Sequence, residues 1–173
     1  RVAFGFAAIF GALLLIAAGV VFFLPLGESG QPAPLLASVW LGCLVISAGA
    51  LFTAWYARRH NDALSGVEAG VSPALFAWGL LWWLGGGLHE IQARLANEWY
   101  ASAALLFFTA TAFACSVLAR RLRWPLLKLP AHALLAAMLA IAVYQAGRVT
   151  HPFAYLGYVA WPVAFAVYYW MLR

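Results

Sequence analysis

Residues 78–90 read WGLLWWLGGGLHE, and the reading of this tract decides the fold. An unbroken apolar run with three tryptophans predicts a helix. Three consecutive glycines follow, then His89 beside Glu90. More apolar sequence lies on both sides, and composition says what solvent it needs. Of 173 residues, 66% are hydrophobic and 9% are charged, with a mean hydropathy of +0.91. A soluble domain carries roughly 25% charged residues. The polar residues left over are too few to build a water-facing surface, so most of the surface must face lipid. Backbone groups in lipid pair internally, which leaves helices or closed barrels. The apolar runs are long and continuous, not ~10-residue alternating strands, so helices are predicted.

Working outward, six spans are expected. The first covers about 2–24 and ends in a breaker-rich loop with Pro25, Gly27, Gly30, Pro32 and Pro34. The second covers about 35–57 and ends in Trp55, Tyr56, Arg58 and Arg59, an aromatic and basic membrane edge. Residues 61–71 are polar and read as a loop. Ser72-Pro73 reads as an N-cap followed by proline at the first helical position. The third span runs from there to about residue 88, with helical character continuing through 91–98. The fourth covers about 99–118 and is stopped by Trp124-Pro125. The fifth runs from 129 or 130 to 146, and the sixth from about 153 to 172 with Pro162 inside it. The expected fold is all-α, six transmembrane helices in up-down order, forming one module over 1–173. The chain opens on Arg1, which reads as an internal or C-terminal piece of a longer membrane protein.

The basic residues orient it. Arg1, Arg58, Arg59, Arg120, Arg121, Arg123, Lys128 and Arg173 fall on one side, and Arg94 and Arg148 on the other. Eight against two predicts that both ends of the piece are cytoplasmic. The same distribution explains the net charge of +5 without nucleic acid as a partner. The expected partners are the bilayer and further transmembrane helices of the same chain. Cys43 and Cys115 lie in separate apolar runs without CxxC spacing and read as small packing residues, not a disulfide. A faint repeat is also visible. Ala-Arg-Arg occurs at 57–59 and 119–121, each followed by a helix opening with Pro-Ala, at Pro73 and Pro130.

Ionisable groups at membrane depth invite functional readings. His89 and Glu90 follow the glycines, and Glu90 and Arg94 stand at ion-pair spacing. On this topology Arg148 and His151 lie on the same outer side. The candidate binding cluster is therefore His89, Glu90, Arg94, Arg148 and His151, suited to an anionic headgroup or a carbohydrate. The plainer reading is a solvated cap. The glycines allow either close helix packing or a break that admits water. Gln145, about a turn from the outer edge, is expected to hydrogen-bond another helix. No metal site and no cofactor are expected: His89-Glu90 lacks the second histidine of HExxH, and His132 lies on the cytoplasmic side. Nucleotide loops and nucleophile elbows are absent from the sequence.

Two tracts carry a resemblance: WGLLWWLGGGLHEI at 78–91, and HPFAYLGYVAWPVAFAVYYWMLR at 151–173. Together they resemble the large bacterial predicted membrane proteins grouped as domain of unknown function 2339. The resemblance implies a multi-pass protein of the bacterial inner membrane and carries no catalytic residues with it. Three functions follow as expectations. The leading one is a non-enzymatic part of a transport or envelope-associated protein. The others are a membrane enzyme acting on lipid-linked sugars or acyl groups, and a structural scaffold. A broken third span around water favours transport. Glu90 and Arg148 converging at a lateral opening favour the enzyme. A solid bundle favours the scaffold.

Overall fold

The structure, a computed structural model, describes residues 39–59, 71–147 and 151–173. The expected first span and its following loop, the 61–70 loop, Arg148 and Thr150 lie outside the described residues. The described residues are all helical apart from turns. The helices are α1 (Val39–Arg59), α2 (Val71–Arg94), α3 (Asn97–Leu122), α4 (Leu129–Ala146) and α5 (Gly157–Leu172), with a 3₁₀ turn at Pro125–Lys128 between α3 and α4. Among the described residues, three stretches are long and apolar enough to cross a membrane: Val39–Arg59, Asn97–Leu122, and the 3₁₀ turn with α4, Pro125–Ala146. At 1.5 Å per residue α1 is ~31 Å long, close to the ~30 Å of a hydrocarbon core. The 16 residues of α5 reach only ~24 Å. The chain divides into two compact units, Arg1–Glu90 and Ile91–Arg173.

In the first unit, α1 and α2 form an antiparallel hairpin closed by small residues. Cys43, Ser47, Ala50 and Ala54 make a buried stripe on α1 at alternating spacings of four and three. Gly79 and Gly86 of α2 meet that stripe. A Cβ at Gly79 would stand 3.1 Å from the Ser47 carbonyl oxygen, and one at Gly86 would stand 2.5 Å from the Cys43 Cβ. Above these contacts Cys43, Ile46 and Trp82 pack together, flanked by Val39 and Trp78. Trp78 and Trp82, one turn apart, meet edge to face at 5.9 Å. In lipid, helices gain no hydrophobic drive from touching each other, so close van der Waals approach must hold them. Glycine and alanine permit that approach.

One open alternative closes here and one expectation changes. The tract Gly85, Gly86, Gly87 does not interrupt the helix; α2 runs unbroken to Arg94. Glycine weakens a helix in water, but here one glycine face is filled by a neighbour. Ser72 also does something other than capping. The helix already begins at Val71, and the Ser72 hydroxyl donates to the Ala54 carbonyl oxygen across the hairpin at 2.9 Å. A bond to the facing helix replaces the local one.

The second unit is an up-down-up bundle centred on α3, which packs against both α4 and α5. Helix α3 stops in a Schellman-type turn: Arg123 adopts φ 49°, and the Trp124 N–H reaches back to the Ala119 carbonyl oxygen at 3.1 Å. Trp124 is buried and Pro125 begins the 3₁₀ turn, so the expected Trp-Pro stop is where the chain reverses. Helix α4 turns Leu134, Met138, Ile141 and Gln145 inward. Its outer face shows Leu135, Leu139 and Val143, exposed by 42%, 61% and 76%. Apolar stripes of that kind are not left to water in soluble monomers. Helix α5 starts at Gly157, four residues after the expected start, because residues 151–156 wind into a turn in which Tyr155 takes φ 55°. Gly157 lies so close to the Pro152 carbonyl oxygen that no Cβ fits there.

Adjacent glycines should respond oppositely to the same substitution. A Cβ at Gly85 meets nothing within 4 Å. Gly85→Ala is expected to be neutral or to stabilise by up to ~1 kcal/mol through helix propensity. Gly86→Ala drives a methyl into Cys43 and should cost about 1–3 kcal/mol. Unfolding of the two variants in detergent micelles by near-ultraviolet circular dichroism measures the difference.

Candidate functional site

The residues of the expected cluster are placed as follows. His89 is exposed and Glu90 half-buried in the first unit, near the end of α2. Arg94 is exposed at the C-terminus of the same helix, one turn beyond Glu90, and belongs to the second unit. His151, also in the second unit, is exposed in the turn before α5. Its Nδ1 accepts the Phe153 N–H at 3.1 Å, and its ring lies 5.4 Å from that of Phe153. The imidazole thus shapes the turn. Neither unit by itself holds all of these residues, and Arg148 lies outside the described residues.

The second unit assembles a different group around the turn that carries His151. Glu98 and Trp99 open α3, and Tyr155 comes from the turn before α5. The Tyr155 hydroxyl donates to the Glu98 carboxylate, and the ring stands 5.7 Å from that of Trp99. All three side chains are exposed. At the next residue of α3, Tyr100 meets Tyr144 of α4 edge to face at 6.1 Å. Deeper still, Trp161 Nε1 donates to Gln145 Oε1 at 3.2 Å, with both side chains buried. This is the interhelical bond expected of Gln145, and its partner is now known. Trp161 satisfies the amide oxygen inside the bundle.

The local causes are clear. A β-turn conformation at Tyr155 requires the left-handed region, which costs an L-residue roughly 1–2 kcal/mol. The turn bonds from Ala154 N–H to the His151 carbonyl and from Gly157 N–H to the Ala154 carbonyl hold it there. The Glu98 bond adds to them. That bond, reinforced by the carboxylate's negative charge, raises the Tyr155 phenol above the ordinary tyrosine range. Chemically, the group offers a carboxylate acceptor, a phenol and an exposed indole face. Such a set suits a hydroxylated ligand with a CH-rich face, as a sugar has. Among the described residues no three of His, Cys, Asp or Glu gather as a metal site needs. Sequence reasoning passed over Glu98 and Tyr155. Glu98-Trp99-Tyr100 at a helix start was a visible polar-aromatic signal, but nothing in the sequence tied it to Tyr155.

Two measurements follow from this geometry. In a double-mutant cycle, Gln145→Leu and Trp161→Phe should each destabilise by about 1–2 kcal/mol, and the pair by less than the sum. The Tyr155 phenolate should titrate above the usual value of ~10. Its folded pKa is raised, so the stability it lends is complete below that usual value and is lost as pH rises through the folded pKa. The ultraviolet absorbance difference between wild type and Tyr155→Phe isolates this titration, and Glu98→Gln should lower it.

Compared with known proteins, the chain matches no family model, no curated protein and no solved structure.

Proposed function

We propose that the chain is a structural module of a larger multi-pass protein of the bacterial inner membrane. In this reading six spans run up and down, both ends of the piece face the cytoplasm, and the apolar outer faces meet lipid and further helices of the same polypeptide. The larger protein is envelope-associated or transports a solute, in keeping with the resemblance to domain of unknown function 2339. Within it this module acts as the packed scaffold.

One observation carries the scaffold role. Helix α2 passes through all three glycines without a break, and Gly86 abuts Cys43 with no room for a methyl group between them. A transport path through that tract needs a helix break or a water-lined gap, and the contact fills the place where one would open. The outer faces support the membrane setting. Val45 and Phe52 of α1, Leu139 and Val143 of α4 and Phe165 of α5 are each more than half exposed. A second reading rests on Glu98, Trp99 and Tyr155. Their joint exposure at the outer end favours contact with an envelope saccharide, with the scaffold holding the platform in place.

Cysteine labelling tests the scaffold. In the full polypeptide with Cys43 and Cys115 replaced by alanine, Glu90→Cys and Gly85→Cys are compared in intact cells with a membrane-impermeant thiol reagent. Position 85 has open space around it, so the variant folds. The expected outcome is labelling at 90 and none at 85. Labelling at both positions reveals water along α2 and replaces the scaffold with a transport path. Labelling at neither overturns the outward orientation.

A further inference from the structure

In the turn that precedes α5, ring-bearing residues alternate along the chain. Residues 151–155 read HPFAY, with rings at His151, Phe153 and Tyr155. With Trp99 of α3 they make two pairs within the second unit. Trp99 and Tyr155 lie 5.7 Å apart, their planes inclined by 57°. His151 and Phe153 lie 5.4 Å apart, inclined by 40°. Trp99, Phe153 and Tyr155 are exposed by 39%, 49% and 39%, and His151 and Glu98 are exposed as well. An aromatic belt at a bilayer edge accounts for exposed rings. It does not account for the polar groups set among these.

Those polar groups decide what can bind. A carboxylate only accepts, at about four lone-pair sites, so the bond from Tyr155 leaves Glu98 room for further donors. The Tyr155 hydroxyl has given its hydrogen to Glu98 and keeps its lone pairs. The first pair is thus edged by acceptors. At the second pair the sense is reversed. His151 Nδ1 accepts the Phe153 N–H, so the neutral imidazole carries its hydrogen on Nε2 and donates from there. A phosphate would answer the donor and be repelled by Glu98. An ammonium would answer the acceptors and leave the imidazole N–H unanswered. Hydroxyl groups donate and accept, and a frame of CH groups that carries them can lie on the rings. A carboxylate in the first turn of a helix complements the helix dipole by itself, and that role asks for no tyrosine. Tyr155 nonetheless stands there at φ 55°, a conformation that suits glycine or asparagine better.

We propose that this end of the second unit binds an uncharged glycan chain through two adjoining sugar units, one against Trp99 and Tyr155 and the next against Phe153 and His151. This rests on the saccharide reading above and narrows it, to a chain rather than a single sugar and to neutral rather than acidic units. Phe153 and Tyr155 are two residues apart, which separates their Cα atoms by at most about 7 Å, on the scale of one sugar ring with its linkage. Glu98 sets the charge preference by repelling uronic or phosphorylated units, and the rings supply the contact area.

The full polypeptide, reconstituted in lipid nanodiscs, is applied to an array of immobilised bacterial oligosaccharides of one to six units, some neutral and some bearing uronic acids. Neutral chains of two or more units should bind about tenfold more tightly than single units, as a second stacked ring allows. Uronic chains of the same length should bind more weakly than neutral ones. Phe153→Leu should remove the gain from the second unit and leave single-unit binding unchanged. Trp99→Leu should weaken binding at every length. Glu98→Gln should abolish the discrimination against uronic chains while neutral chains still bind, an outcome that loss of structure would not produce. Equal binding of neutral and uronic chains by the unaltered protein overturns the neutral class and leaves the saccharide reading standing. Single units that bind as tightly as chains overturn the paired arrangement. Failure of every glycan to bind overturns the saccharide reading and this proposal together, while the scaffold role, read by thiol labelling, is untouched.

Discussion

The close approach of α1 and α2 is the contact on which the first unit depends. In water a hairpin of two apolar helices gains stability simply by hiding its surface. In hydrocarbon that gain vanishes, because a lipid tail is as apolar as a leucine. What remains is dispersion between atoms in contact, and it falls steeply once a gap opens. The stripe Cys43, Ser47, Ala50, Ala54 and the glycines at 79 and 86 remove side-chain bulk where the helices face each other. The tryptophans sit beside this seam, where Trp82 packs on Cys43 and Ile46. Small residues bring the backbones together, and large ones fill the flanks.

The second unit solves the same problem by other means. Its central helix buries Ala101, Ser102, Ala104, Leu105, Thr109, Thr111, Ala112, Ser116 and Ala119. The hydroxyls in this set do not disturb the interior, because Thr109 and Ser116 return their protons to carbonyls one turn back in their own helix. They behave as small residues with their polarity satisfied locally. Between helices, the Ser116 hydroxyl also lies 3.0 Å from the Met171 sulfur of α5, and Gln145, from α4, takes the Trp161 N–H. That bond fixes the rotation of α5 against α4, because a buried indole N–H without an acceptor would cost more than the bond yields.

Much of this architecture was legible in the sequence. Apolar runs and their basic ends announced α1, α3 and α4, and Trp124-Pro125 announced the reversal between the last two. Gln145 was readable because an amide near the end of an apolar run needs a partner. What failed to show did so for physical reasons. Triple glycine is ambiguous in a single chain, since the same absence of Cβ serves a kink or a close contact, and only the facing Cys43 decides between them. Ser72 resembled a cap because capping is a local rule, and the carbonyl it bonds instead belongs to another helix. The start of α5 moved because Tyr155 takes a backbone conformation that sequence statistics disfavour. Glu98 and Tyr155 lie far apart in the chain, and their bond exists only once α5 has docked beside α3.

The two ends of the second unit use the same residue types to opposite effect. At one end Trp99 and Tyr155 accompany a carboxylate; at the other Trp170 and Tyr169 lie beneath guanidinium groups. An aromatic ring suits either setting, having an apolar body for the bilayer edge and a polar tip or electron-rich face for the headgroup layer. The charge beside it breaks the symmetry. A bundle whose basic residues gather mostly at one end is polarised in charge along its axis, which is the feature that the positive-inside rule reads. Helices α3 and α5 run parallel, as the pairs Trp99 with Tyr155 and Phe113 with Trp170 show, so their basic ends lie together. The parallel pairing turns two separate helix ends into one charged surface.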